Sequence, residues 1–250
     1  MNNRKAIFII FSIFAFLTSA FMVVQQQDDV IRGGPFSEMS ADQNIPDNWE
    51  RLDFRGIIRT ITPTDYTLTD NDGTTVVKAE SNNASSGLIR RIDVDLKEHP
   101  VLEFSWKVTG MIKGSDVTTE DGDDYPARVY VVFDYDRSNL SVVERNMLRV
   151  IERFYGEVPA RAITYYHAKN EEVDEVFPNP YTDLVKMIPV NSGDEDVGRW
   201  KSFSRNVYED YKRIYDEEPP KVAAVALMTD TDDTGEETTS YFGDIKFVTE

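Results

Sequence analysis

The chain has no cysteine and only two histidines, His99 and His167. The first absence removes disulfides, thiolate nucleophiles, cysteine-type zinc sites and lipid attachment at an N-terminal cysteine. The second nearly excludes multi-histidine metal centres. Basic residues are also scarce: 27 Lys and Arg stand against 45 Asp and Glu, a formal charge of −18. Such a field repels a phosphate backbone or an anionic membrane surface. It argues against nucleic acid as a partner and favours cations, neutral ligands or basic partners, while also serving plain solubility. The GxSxG elbow, the HExxH zinc pair and the Gly-rich phosphate loop are missing too. Nothing selects His167 for a Ser–His–Asp arrangement, and 45 acids offer too many pairs for spacing alone to identify a carboxylate hydrolase.

Hydrophobic residues make up 40% of the 250, enough for the core of one domain. One long apolar run exists. Arg4 and Lys5 precede "AIFIIFSIFAFLTSAFMVV", Ala6 to Val24, with Thr18-Ser19-Ala20 supplying small residues for cleavage. That order is an export signal, and its length approaches the roughly 20 residues that span a bilayer. Residues 1–24 are therefore expected to be a signal peptide or an N-terminal membrane anchor. The rest of the chain is expected to be exported, periplasmic or secreted, touching a membrane only through this segment if it is uncleaved. Residues 25–44 are polar and aperiodic, a linker or irregular lead-in, and 45–250 form a single domain.

Within that domain strand signals recur at short spacing. "DYTLTDNDGTTVVKAES" reads as a hairpin turning at Asp72-Gly73. In "VLEFSWKV", Leu102, Phe104, Trp106 and Val108 share one face, and Glu103, Ser105 and Lys107 the other. "SSGLIRRIDVDL", "ARVYVVFDY", "AITYYHA", "DLVKMIPV", "RWKSFSRNV", "KVAAVALM" and "SYFGDIKFV" complete the set. Helical spacing predicts a helix from Leu140 to Tyr155, with Ser141 and Glu144 as a capping box, and a shorter one from Asn206 to Tyr215. The fold expected is mainly β, a jelly-roll-like β-sandwich with one or two helical insertions; α+β is the alternative.

Three constellations carry candidate chemistry. In "MTDTDDTGEETTSYFGDIKF" an apolar run opens into a loop holding Asp230, Asp232 and Asp233, and Asp244 returns in the strand that follows. Asp230, Asp232 and Thr234 before Gly235 copy half an EF-hand, but the closing Glu would fall at Tyr241, which rejects it. Two readings remain: turn chemistry, and a structural Ca2+ held by Asp230, Asp232 and Asp244. In "EDGDDYPARVYVVFDY", Asp121, Asp123 and Asp124 precede Arg128, so acids and a guanidinium meet at one sheet edge. Arg128 either locks that loop through Asp123 or Asp124 or reads a ligand. The aromatics, 14 Phe, 12 Tyr and 3 Trp, exceed what a small core needs. Tyr165, beside Tyr166 and His167, and Trp200 are the open ones, with Trp106 in the core. The candidate ligand-binding set is Arg128, Asp124, Tyr165, His167 and Trp200.

The segments "DDYPARVYVVFDY", "RWKSFSRNVYEDYKRIYDEEPPKVAAVALMTDTDDTG" and "SYFGDIKF", with "SSGLIRRIDVDL" and "LEFSWKV", resemble the bacterial exported family called domain of unknown function 3047. The resemblance covers roughly residues 49 to 248, and Asp230, Asp232, Asp233, Thr234, Gly235, Gly243 and Asp244 match the family's acidic turn and Gly-Asp-Ile strand. It implies no activity. "FSEMSADQNIPDNW" and "SYFGDIKF" are more weakly similar to the terminal strands of jelly-roll carbohydrate-binding modules. That likeness implies a structural calcium linking Glu38 to Asp244. The expectation is an exported, non-catalytic domain that binds an envelope glycan or another envelope protein. A carboxylate-based glycoside hydrolase and an anchored structural protein are the alternatives.

Overall fold

The computed structural model describes residues 29–41, 43–53, 61–142, 145–146 and 161–249. The apolar segment Ala6–Val24 and most of the helix expected from Leu140 to Tyr155 lie outside them. Among the described residues fourteen strands make two seven-stranded sheets. The first contains β1 (Val30–Gly34), β3 (Asp65–Asn71), β4 (Thr74–Asn82), β6 (Val101–Val108), β11 (Lys201–Asn206), β13 (Glu237–Phe242) and β14 (Ile245–Val248). The second runs in the order β2 (Glu50–Asp53), β5 (Ser85–Val94), β12 (Val222–Asp230), β7 (Arg128–Phe133), β8 (Ala162–Ala168), β10 (Thr182–Ser192) and β9 (Phe177–Asn179). This is the mainly-β, jelly-roll-like sandwich expected, with one described α-helix, α1 (Val207–Tyr215).

Local chemistry explains the elements. Asp72 and Gly73 both take positive φ, 57° and 84°, so the two-residue turn matches the strand twist and pairs Asn71 with Thr74. The alternation of β6 is realised: Leu102, Phe104, Trp106 and Val108 are buried while Glu103, Ser105 and Lys107 remain partly exposed. The inner face meets Val129, Val131 and Phe133 of β7, Ile163 and Tyr165 of β8, and Val225 and Leu227 of β12. Each such side chain contributes about 1.5–3 kcal/mol when fully buried. Asn206 caps α1 by accepting from the Glu209 N–H at 3.0 Å.

Two expectations need correction. Residues 25–44 were expected to be irregular, yet they include β1 and a 3-10 turn at Phe36–Glu38. Five residues ending in Gly33-Gly34 carry no alternation to read. Gly34 is needed for contact, since a Cβ there would stand 2.8 Å from the Phe36 ring. Strand β7 also sits between β12 and β8, so Arg128 lies at the end of a central strand, not at a sheet edge.

Strands β13 and β14 follow one edge of β6 with a break between them. Phe242 pairs with Trp106 and Lys246 with Glu103, so four steps on one strand span three on the other. The extra residue makes a bulge at Gly243-Asp244, which turns the Asp244 carboxylate out of the ladder.

Candidate functional site

The bulge opens onto the outer face of the first sheet. There Glu103 and Ser105 of β6 form part of a groove of about 680 Å3, with Trp200, Phe203, Asp72 and Asp244 around it. Gly243 leaves the room: a Cβ in its place would lie 2.3 Å from Ser105 Oγ. Trp200 is partly exposed. Its indole N–H donates to Asn71 Oδ1 at 3.1 Å. Lys107 Nζ donates to the same oxygen at 2.6 Å and stands 5.5 Å from the Trp200 ring centroid and 4.9 Å from that of Tyr241. The indole is thereby fixed in place before any ligand arrives.

The carboxylates of the groove already have partners. Lys246 lies 2.8 Å from Glu103, and Asp244 accepts from Ser37 twice, from the N–H at 2.8 Å and the hydroxyl at 2.5 Å. Partly exposed indole, serine hydroxyls and ionic acceptors along one groove can stack on a hydroxylated ring and bond its edges.

A second concentration of charge lies at one end of the second sheet. Arg128 is fully buried and held by two acids. Its Nη1 lies 3.1 Å from Asp123 Oδ1, while Nε, at 3.1 Å, and Nη2 donate to the two oxygens of Asp230. The Tyr125 ring centroid is 4.6 Å from the guanidinium, and Asn179 donates to Asp123 Oδ2 at 3.2 Å. Desolvation works against the charged guanidinium, but Asp123 and Asp230 outweigh it and hold the pKa of Arg128 above its ordinary value. Burial pushes the Asp230 carboxyl up, Arg128 pulls it back, and the carboxylates of Asp124, Asp123 and Asp232 push it up again.

Arg128 thus ties the loop before β7 to the end of β12. Residues within three positions of its two partners come together as a result. One carboxylate oxygen from each of Asp124, Asp232 and Asp233 lies within 4.8 Å of the others. Asp124 is fully buried; its Oδ2 accepts from the Thr234 N–H at 2.6 Å. Tyr181 donates its hydroxyl to Asp233 Oδ2 at 3.1 Å. Gly235, at φ 70°, lets the loop reverse.

The nine candidate positions are dispersed. Asp124 and Asp232 join the acidic cluster, with Asp233 added; Asp230 faces Arg128 instead. Asp244 stands in the groove with Trp200. Glu38 is exposed and lies 3.2 Å from Arg32, so the contact expected between the early segment and Asp244 is made by Ser37, its neighbour. Tyr165, expected to be open, and His167, expected to bind a ligand, are buried at 0% and 1%. Strand β8 is central, so the inward Tyr165 joins the core and donates to Asp210 at 2.9 Å, while the outward Tyr166 packs on Tyr125. His167 Nε2–H donates to the Gly193 carbonyl at 2.8 Å, and burial pushes the imidazole pKa down. Glu103 was not among the candidates, although its alternation with Phe104 already placed it on the solvent face.

A family model described as "Protein of unknown function (DUF3047)" matches residues 47–246. The chain belongs to this family. Both the groove's Trp200, Glu103 and Asp244 and the cluster's Asp124, Asp232 and Asp233 fall inside the DUF3047 boundaries, whereas β1 and Glu38 precede them. No curated protein matches in sequence. Among solved structures, the chain is similar to the xyloglucanase domain of NopAA, a type three effector from Sinorhizobium fredii in complex with cellobiose. Identity is 10% and the TM-score 0.39, over 81% of this chain and 93% of that one. A cellulase derived from Cel12A of Rhodothermus marinus matches at 10% and 0.38, over 79% and 96%. Endoglucanase 3 of Trichoderma harzianum, from family GH12, matches at 7% and 0.36, over 81% and 98%. Likenesses this distant carry no argument about the chemistry of the DUF3047 chain.

Proposed function

We propose that this chain is an exported binding protein whose groove on the first sheet holds a neutral envelope glycan. The observation that carries the reading is Trp200, partly exposed in a groove and braced by Asn71 and Lys107 beside Glu103, Ser105 and Asp244. A fixed indole next to hydroxyl and carboxylate groups is the combination that stacks on a sugar ring and bonds its hydroxyls. The charge of −18 disfavours anionic polymers and leaves neutral glycans as the better fit.

Binding is favoured over hydrolysis by the state of the carboxylates. A glycosidic general acid sits in an environment that keeps its proton, commonly an apolar pocket. The Glu103 side chain is 40% exposed and ion-paired, and Asp244 is engaged by both donors of Ser37. Export is supported by the Arg4–Lys5, apolar, Thr-Ser-Ala order; N-terminal sequencing of protein from cells tests it, and a start at Met1 would point instead to a retained anchor. Among the described residues no helix is long and apolar enough to cross a membrane.

A glycan-array screen of wild type and Trp200→Ala tests the binding reading. Retention of neutral oligosaccharides by wild type and not by the variant is expected. Release of new reducing ends from a bound oligosaccharide would assign a hydrolase instead.

A further inference from the structure

We infer that Asp124, Asp232 and Asp233 bind one calcium ion that joins the loop before β7 to the loop after β12. Three carboxylates in proximity would not carry this by themselves. The second observation is Asp124: it is fully buried, and its Oδ1 has no hydrogen-bond partner among the described residues. A buried ionic acceptor left without a donor bears its full desolvation cost, so such an oxygen points to a ligand. The Thr234 hydroxyl oxygen is buried and unpartnered as well, and the N–H of the same residue holds the other Asp124 oxygen at 2.6 Å.

The donor set favours calcium. Calcium takes about six to eight oxygens at about 2.3–2.6 Å in flexible geometry and accepts several carboxylates at once. The three ligand atoms lie within 4.8 Å of one another, close enough to converge on one ion. Magnesium, at about 2.0–2.1 Å and strictly octahedral, keeps more of its water and is usually held by only one or two carboxylates. With no cysteine near and both histidines elsewhere, the donors are all hard oxygens, which disfavours zinc and copper. Arg128 preassembles the site by fixing Asp123, next to the ligand Asp124, and Asp230, two residues before the ligand Asp232.

Terbium, a luminescent substitute for calcium, gives a readout independent of any glycan. Tyr181 donates to Asp233, so terbium held there is close to a sensitising phenol. The full chain is titrated with terbium, then with calcium or magnesium as competitor, and its melting is followed in EDTA and in millimolar calcium. Expected are saturation at one ion per chain, displacement by calcium but not by equal magnesium, and a melting point raised by about 5–10 °C at free calcium 100-fold above Kd. Asp233→Asn should weaken terbium binding at least tenfold; Asp124→Asn should abolish it, and if that variant does not fold the Asp233 variant decides. An absent terbium signal with equal melting in EDTA and calcium would overturn the site. So would displacement by magnesium as readily as by calcium, or wild-type terbium affinity in Asp233→Asn.

Discussion

Removing the Arg128 guanidinium would strand two buried carboxylates, Asp123 and Asp230, whose side chains are 8% and 4% exposed. A buried pair broken from one side costs about 3–5 kcal/mol, against about 0–1 for an exposed one. Arg128→Ala should therefore lose about 3–5 kcal/mol in urea unfolding; wild-type stability in that variant would refute the structural role. His167 supplies a pH dependence. Burial lowers its pKa, so the folded value lies below the unfolded value of about 6.5. Its contribution to stability is present above the unfolded pKa and is lost as pH falls toward the folded one. Wild type should lose up to about 1.4 kcal/mol per pH unit more than His167→Gln below about pH 6.5. Parallel pH profiles of the urea midpoint in the two proteins would contradict this.

At the scale of elements, the Gly243-Asp244 bulge shapes the groove, and its packing against β6 can be tested directly. An alanine at 243 meets Ser105 Oγ at 2.3 Å but Ser105 Cβ only at 3.6 Å, an ordinary contact. Gly243→Ala should thus cost less in a Ser105→Ala background, with a coupling of about 0.5–3 kcal/mol. Four unfolding curves measure it, and equal costs in both backgrounds would remove the clash from the account. Strands with alternation or strong turn chemistry were legible in the sequence: β6, the Asp72-Gly73 hairpin, and α1 with its Asn206 cap. Strand β1 was not, because two glycines erase periodicity. Strand β8 was legible as a strand but not as one covered on both faces, so Tyr165 looked open and His167 available to a ligand. The acidic loop was legible as a cluster. Which acids converge was not, because β12 ends at Asp230 and the alternation that grouped Asp230 with Asp232 ends with it. The partnership of Arg128 with Asp230 joins residues 102 positions apart and leaves no local signal.

For the whole molecule, a charge of −18 surrounds the groove proposed to hold a neutral glycan. A neutral glycan carries no charge for that field to act on, so affinity should hold when salt shortens the screening length from about 10 Å at 0.1 M to about 3 Å at 1 M. The most direct measurement is a calorimetric titration of the full chain and of Trp200→Ala with neutral oligosaccharides retained on the array, at low and high salt. The account predicts saturable, salt-insensitive binding to wild type and about thirtyfold weaker binding to Trp200→Ala, the loss of one aromatic anchor at about 2 kcal/mol, with melting unchanged. Equal affinity in the two proteins, or no binding to either, would contradict it.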